Sequence, residues 1–171
     1  LLSNGIKGEA METIIMKIKY GEVEIELFKD EAPNHVKRIL ELVNEGKYNG
    51  VAFHRVIEGF MAQTGDVKFG NINNFNKDLV GTGSSDLPDL KAEFNNIPHE
   101  RGTVSMARSS NPDSGNSQFF ICFKAAPHLD RQYTVFGKVT RGMEFIDQIK
   151  RGEPGSGSVS SPDYIESIKI K

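Results

Sequence analysis

Apolar residues alternate with polar ones at the start of the chain. Thr13 to Lys19 and Glu22 to Phe28 flank a Tyr20-Gly21 turn, and in the second run Val23, Ile25 and Leu27 are interleaved with Glu22, Glu24 and Glu26. A period of two predicts a hairpin with one buried and one wet face. The period then changes. After Asp30, Pro33 stands at a first-turn position, Val36, Ile39, Leu40 and Val43 recur at helical spacing, and Gly46 supplies a stop, so an amphipathic helix follows the hairpin. Short β-type runs come next at Val51 to Ile57, Phe60 to Thr64, Thr103 to Ala107, Gln118 to Phe123 and Tyr133 to Val139. Gly-, Pro- and Asn-containing turns separate them. Phe145, Ile146 and Ile149 mark a second short helix, Gly152 to Ser161 reads as a Gly/Ser/Pro loop, and Tyr164 to Ile170 as a closing strand.

Many short strands with only two helices favour a mainly β, antiparallel fold. Closure into a barrel removes exposed strand edges, and the helices can cover its open ends. There is no internal repeat and no second core pattern. One domain over 11–171 is expected, preceded by a tail over 1–10 that reads as an added segment, an upstream start or the stub of a processed leader. The connection from Gly65 to Leu90 is long for a compact domain, and connections of that length usually border a site.

Charge and cysteine content narrow the function. With 21 basic and 23 acidic residues among 171, the net charge is −2, and no basic excess points to nucleic acid. Cys122 is the only cysteine, so no intrachain disulfide forms, and no Cys/His spacing suits a structural metal. No stretch approaches the roughly 20 apolar residues that cross a bilayer. A soluble chain is expected, cytoplasmic, or periplasmic after leader removal.

Two segments carry candidate chemistry: Phe53-His54-Arg55-Val56-Ile57-Glu58-Gly59-Phe60-Met61-Ala62-Gln63-Thr64-Gly65-Asp66 and Ser117-Gln118-Phe119-Phe120-Ile121-Cys122-Phe123. Taken singly, each residue has an ordinary explanation: a surface cation, a core ring, an amide satisfying backbone groups. Strand periodicity, however, puts Met61 with Gln63 on one face, Phe120 with Gln118 on another, and Arg55 opposite His54. Apolar and hydrogen-bonding groups then converge, as suits a shallow groove for a proline ring and its peptide backbone. Cys122 sits within an apolar run and reads as a buried, inert thiol. His35 and His99 read as solvated or capping residues.

These two segments, together with Thr134-Val135-Phe136-Gly137-Lys138-Val139, are similar in sequence and order to the cyclophilin family of peptidyl-prolyl cis/trans isomerases, over about Ile14 to Ile170. The resemblance implies a closed eight-stranded antiparallel barrel capped by two helices, with the active groove on its outer surface. It also implies an isomerase of X-Pro bonds that uses no metal, cofactor or covalent intermediate. Arg55 matches the family's catalytic arginine. Phe60, Met61, Phe120 and Leu129 match its proline-pocket wall, and Gln63 and Gln118 its peptide-binding polar positions. Ala107 and Arg108 match the segment whose backbone pairs with the substrate, Arg108 standing where the best-known eukaryotic members have asparagine. Tyr133 replaces a wall histidine and His128 the indole that closes the pocket, as in bacterial members.

The expected partners are therefore proline-containing peptides and unfolded or loop segments of proteins. Cyclosporin, the family's inhibitor, is expected to bind weakly, and the chain is expected to act as a monomer. The rival reading is a non-catalytic proline-peptide binder or chaperone module of the same fold.

Overall fold

A computed structural model describes residues 12–171, so the 1–10 tail lies outside the described residues. The strands are β1 (Glu12–Ile18), β2 (Gly21–Leu27), β3 (Arg55–Ile57), β4 (Met61–Thr64), β5 (Thr103–Met106), β6 (Phe119–Cys122), β7 (Val135–Arg141) and β8 (Ser167–Ile170). Two α-helices join them, α1 (Pro33–Asn44) and α2 (Met143–Ile146). All neighbouring strands pair antiparallel in the order β3-β4-β6-β5-β7-β2-β1-β8.

The hairpin forms as its alternation predicts. Ile14 pairs with Ile25 and Met16 with Val23, and all four are buried with Ile18 and Leu27. Val56, Ala62, Val104, Phe119, Ile121 and Phe136 from the other strands complete this interior. Phe119 meets Phe136 and Tyr48 edge-to-face, with centroids 6.0 and 5.6 Å apart. Helix α1 begins at Pro33 and stops before Gly46, whose φ of +70° ends the helical course. It packs on β8 with Val36, Ile39, Leu42 and Val43 buried. Helix α2 is a single turn that starts just after Gly142, which takes φ +91° where it lies against β2.

The barrel is curled but not closed, which corrects the expected closed ladder. Strands β3 and β8 are the two edges of the sheet, and between them runs an irregular seam. Val56 N–H donates to Gly157 O at 2.8 Å, Val159 N–H to His54 O at 3.2 Å and Phe53 N–H to Asp163 O at 2.8 Å. Only isolated bridges form, at Ala52 with Tyr164 and Arg55 with Ser158. The reason lies in the facing segment. Gly155 and Gly157 take φ of +90° and +77°, and Pro162 has no N–H to give, so no regular ladder can propagate along it. For the same reason the strands expected at 51–57 and 164–170 shorten to Arg55–Ile57 and Ser167–Ile170.

His35 and His99 also differ from expectation, since each is 1% exposed. His35 Nδ1 meets Glu93 Oε1 at 2.6 Å. A carboxylate partner from a distant loop removes the solvation that a helix-surface histidine would otherwise need.

The long connection is organised by one side chain. Asp66 is fully buried, and its Oδ1 accepts the N–H groups of Lys68 and Phe69 at 3.1 and 2.9 Å, while Oδ2 accepts those of Gly81 and Gly83 at 2.8 and 2.9 Å. Four backbone donors on one carboxylate gather both ends of a long excursion. Gly83 is confined by this closeness, because a Cβ there would stand 2.2 Å from Asp66 Oδ1.

Candidate active site

Strand register assembles the site. Arg55 pairs with Gln63, Gln63 with Phe120, and Phe120 with Ser105, so four neighbouring strands present one row on the face opposite the interior. Ile57, Met61 and Cys122 form the next row. This outer face carries its own apolar cluster of Met61, Phe120, Cys122, Ala126 and Leu129, with Ile57, Phe60, Ala107 and Tyr133 half-buried around it. Above it lies a groove of about 370 Å³, walled by Arg55, Phe60, Met61, Gln63, Ala107, Arg108, Phe120, Leu129 and Tyr133. Of the residues singled out from sequence, two stay outside this wall. Gln118 faces an adjoining polar pocket of about 440 Å³. His128 is exposed and packs on Phe60, their ring centroids 5.9 Å apart.

The polar wall is a relay of hydrogen bonds whose direction follows from donor inventory. Gln118 Nε2 donates to Gly81 O at 3.0 Å and Gly83 O at 2.8 Å. Its carbonyl oxygen therefore faces Gln63 Nε2 at 3.0 Å, and Gln63 Oε1 in turn accepts from Arg55 Nη1 at 3.2 Å. Arg55 Nε donates to Ser156 O at 3.2 Å. With two of five guanidinium N–H groups engaged, three stay unengaged on a residue that lines the groove. Since Asp66 fixes Gly81 and Gly83, the long connection sets the orientation of Arg55 through two amides.

The apolar wall is equally constrained. Tyr133 meets Phe120 edge-to-face at 5.8 Å, and the Arg108 guanidinium lies 4.5 Å over the Tyr133 ring. The Cys122 thiol behind the pocket is pushed up to about 12 by burial, which leaves it inert, as its apolar surroundings predict. Among the described residues no cluster of three or more His, Cys, Asp or Glu could hold a metal ion.

Sequence reasoning missed several members. His54, Lys77, Val80, Gly81, Ser156 and Ser158 also line the groove, the serines from a segment that reads as a plain Gly/Ser/Pro loop. The His54 ring is 6% exposed and neither nitrogen has a hydrogen-bond partner. Burial holds its pKa down to about 4, against the pull of the Asp66 carboxylate. Strand alternation puts His54 on the face opposite Arg55, and the length of the 65–90 connection marks Lys77, Val80 and Gly81 only as bordering a site; nothing local in the sequence marks the two serines, which arrive through the seam.

The family model described as cyclophilin type peptidyl-prolyl cis-trans isomerase matches residues 13–170. A probable peptidyl-prolyl cis-trans isomerase of Brucella suis is 60% identical over 161 residues, covering 93% of this chain and 82% of that protein. A peptidyl-prolyl cis-trans isomerase of Helicobacter pylori is 41% identical over 151 residues, 86% of each chain. Among solved structures, a cyclophilin type isomerase of Cryptosporidium parvum, crystallised in the presence of the dipeptide Ala-Pro, superposes with a TM-score of 0.80 at 28% identity, over 93% of this chain and 98% of that one. With the outer-face groove, the row of Arg55, Gln63 and Phe120, and matches spanning nearly the whole described chain, the protein belongs to the cyclophilin family of peptidyl-prolyl cis-trans isomerases.

Proposed function

We propose that Arg55 is the catalytic residue of this isomerase and that Phe60, Met61, Phe120, Leu129 and Tyr133 hold the proline ring of its substrate. The observation that carries this reading is the placement of Arg55, oriented by Gln63 and Ser156, with three N–H groups left for a ligand. A peptide bond resists rotation because nitrogen lone-pair delocalisation gives it double-bond character, with a barrier of about 18–20 kcal/mol. Twisting an X-Pro bond breaks that delocalisation, and the prolyl nitrogen becomes pyramidal and regains a lone pair. A guanidinium N–H can donate to that lone pair only in the twisted state. Such differential binding speeds the step.

The apolar wall acts differently. Burying three ring methylenes at about 0.8 kcal/mol each contributes about 2.4 kcal/mol, but equally to ground and twisted states. It anchors the ring and leaves the preceding residue to swing. Proline-containing peptides and loops are thus the ligands, and the Ala-Pro dipeptide used with the Cryptosporidium parvum protein supports that class. The arrangement needs no cofactor.

Arg55→Lys tests the assignment, since it preserves charge but removes the planar fork of donors. In a protease-free assay on a short X-Pro peptide, kcat and kcat/KM should fall together by about tenfold to a thousandfold, or about 1.4–4 kcal/mol. Peptide affinity, titrated separately, should hold. In Phe120→Ala, affinity should drop as well. Parental turnover in Arg55→Lys, or affinity lost in step with rate, returns Arg55 to a binding role.

A further inference from the structure

The groove is cationic on a chain that is not. Arg55, Lys77 and Arg108 all line it, and its lining contains no carboxylate, although the net charge of the protein is −2. Among the described residues none of the three forms an ion pair. Behind the groove, Asp66 is buried and holds four backbone N–H groups, that of Gly81 among them, and Asp89 of the adjoining pocket accepts the Asn116 amide at 3.0 Å through its Oδ1.

Arg108 is the most firmly held of the three. Its Nε and Nη2 donate to Gln132 O at 2.9 and 2.7 Å, and its Nη1 to Ser109 O at 2.9 Å and Ser110 O at 3.4 Å. The Tyr133 ring supports one face of the guanidinium. Every one of these partners is neutral, so the full positive charge is uncompensated. The four bonds leave one of five N–H groups unused. A guanidinium so fixed has lost its side-chain freedom on folding and gives up little more when it meets a ligand, unlike a free surface lysine. Arg108 also borders both pockets. It follows β5, three strands from Arg55 and thus roughly 14 Å across the sheet at about 4.8 Å per strand, so the proline ring would lie between the two cations.

We propose that Arg108 makes this groove selective for prolines flanked by an aspartate or glutamate, offering that carboxylate a fixed guanidinium at the rim of the proline pocket. The inference rests on the isomerase reading above and names the substrate class of the same site. A carboxylate there gains a charge-assisted hydrogen bond and the attraction of Lys77 and Arg55, whereas a lysine meets three like charges. Long-range attraction is not the source, because the protein as a whole is negative. The selectivity is local and screened over about 8–10 Å at ordinary ionic strength.

The test compares otherwise identical peptides with Glu, Gln or Lys immediately before the proline, and a second set with the change immediately after it. Each set is measured for kcat/KM and, by titration, for Kd. In at least one set, Glu should exceed Lys by about fivefold or more at low ionic strength, with Gln between, and the ratio should shrink in about 0.5 M salt. Arg108→Gln should bring the ratio toward one, and Arg108→Lys should retain part of it. A change that merely loosens the fold scales all peptides alike and leaves the ratio untouched. Equal Kd and kcat/KM for Glu and Lys peptides at both positions, or a ratio that survives Arg108→Gln, overturns the proposal. Loss of turnover on every peptide with the Kd ratio intact strikes instead at the assignment of Arg55.

Discussion

The imidazole of His99 lies flat against the ring of Phe120, with centroids 6.1 Å apart and planes 16° from parallel. Phe120 is the central ring of the groove, and His99 is the layer beneath it. Asp130 Oδ1 accepts the His99 backbone N–H at 2.7 Å and faces its Nδ1 at 3.1 Å, while Nε2 stands 2.9 Å from Ser105 Oγ. Ser105 also reaches Thr134 O at 3.1 Å. With a single hydroxyl hydrogen and two acceptors, Ser105 donates to the neutral imidazole, and turns to Thr134 when the imidazole carries two protons.

His99→Leu removes the flat ring and leaves the buried Ser105 hydroxyl without its imidazole. The expected cost is about 1–3 kcal/mol in urea denaturation. Affinity for an X-Pro peptide should fall with it, because Phe120 loses the surface it rests on. Unchanged affinity would show that Phe120 is held by Tyr133 alone.

Asp66 is remote from the substrate yet orients Arg55 through Gly81, Gly83, Gln118 and Gln63. Asp66→Ala deprives four backbone N–H groups of their acceptor, and a loss of about 3–5 kcal/mol is expected. Limited proteolysis should open the 70–85 region first, and kcat/KM should drop although no substrate contact is removed. Asp66→Asn keeps one acceptor oxygen and should fall between. Full activity in Asp66→Ala would break the link from loop to arginine.

Acid should destabilise the protein before its carboxylates titrate. Burial lowers the pKa of His35, His54 and His99 in the folded state. The unfolded chain takes up these protons near the ordinary histidine value of about 6.5, while folded His54 waits until about 4. Below about pH 6.5 the unfolded state therefore binds more protons, and stability falls as pH falls. Denaturation midpoints should decline from pH 7.5 to 5. His54→Leu, which removes two unpartnered nitrogens, should flatten the decline, and an unchanged slope would remove His54 as its source.

Cyclosporin should bind weakly, and His128→Trp should tighten inhibition by about tenfold, or ~1.4 kcal/mol. His128 packs on Phe60 at the groove's outer rim, where an indole adds apolar area and a new N–H. Tight inhibition of the parent, or no gain in the variant, would place inhibitor affinity elsewhere.

Much of this protein is legible from its sequence, wherever the determining interactions are local. The Val23-Ile25-Leu27 alternation, Pro33 and Gly46 around α1, and the apolar setting of Cys122 depend on periodicity and backbone sterics within a few residues, and each appears in the structure as read. The two long segments likewise bring Arg55, Met61, Gln63 and Phe120 to one groove, since period two fixes which residues share a face, and Phe60 joins them from the turn before β4. Tertiary structure alone decided the rest. That Gln63 stands beside Phe120 is a matter of register between strands more than 50 residues apart. That His99 is dry depends on Asp130 and Ser105 arriving to satisfy it. The open seam between β3 and β8 comes from a Gly/Pro segment that passes where a ladder would otherwise close. Local sequence sets which elements form and which face each one buries; the cost of dehydrating a polar group, or of leaving an edge unpaired, is fixed only when its distant neighbour is in place.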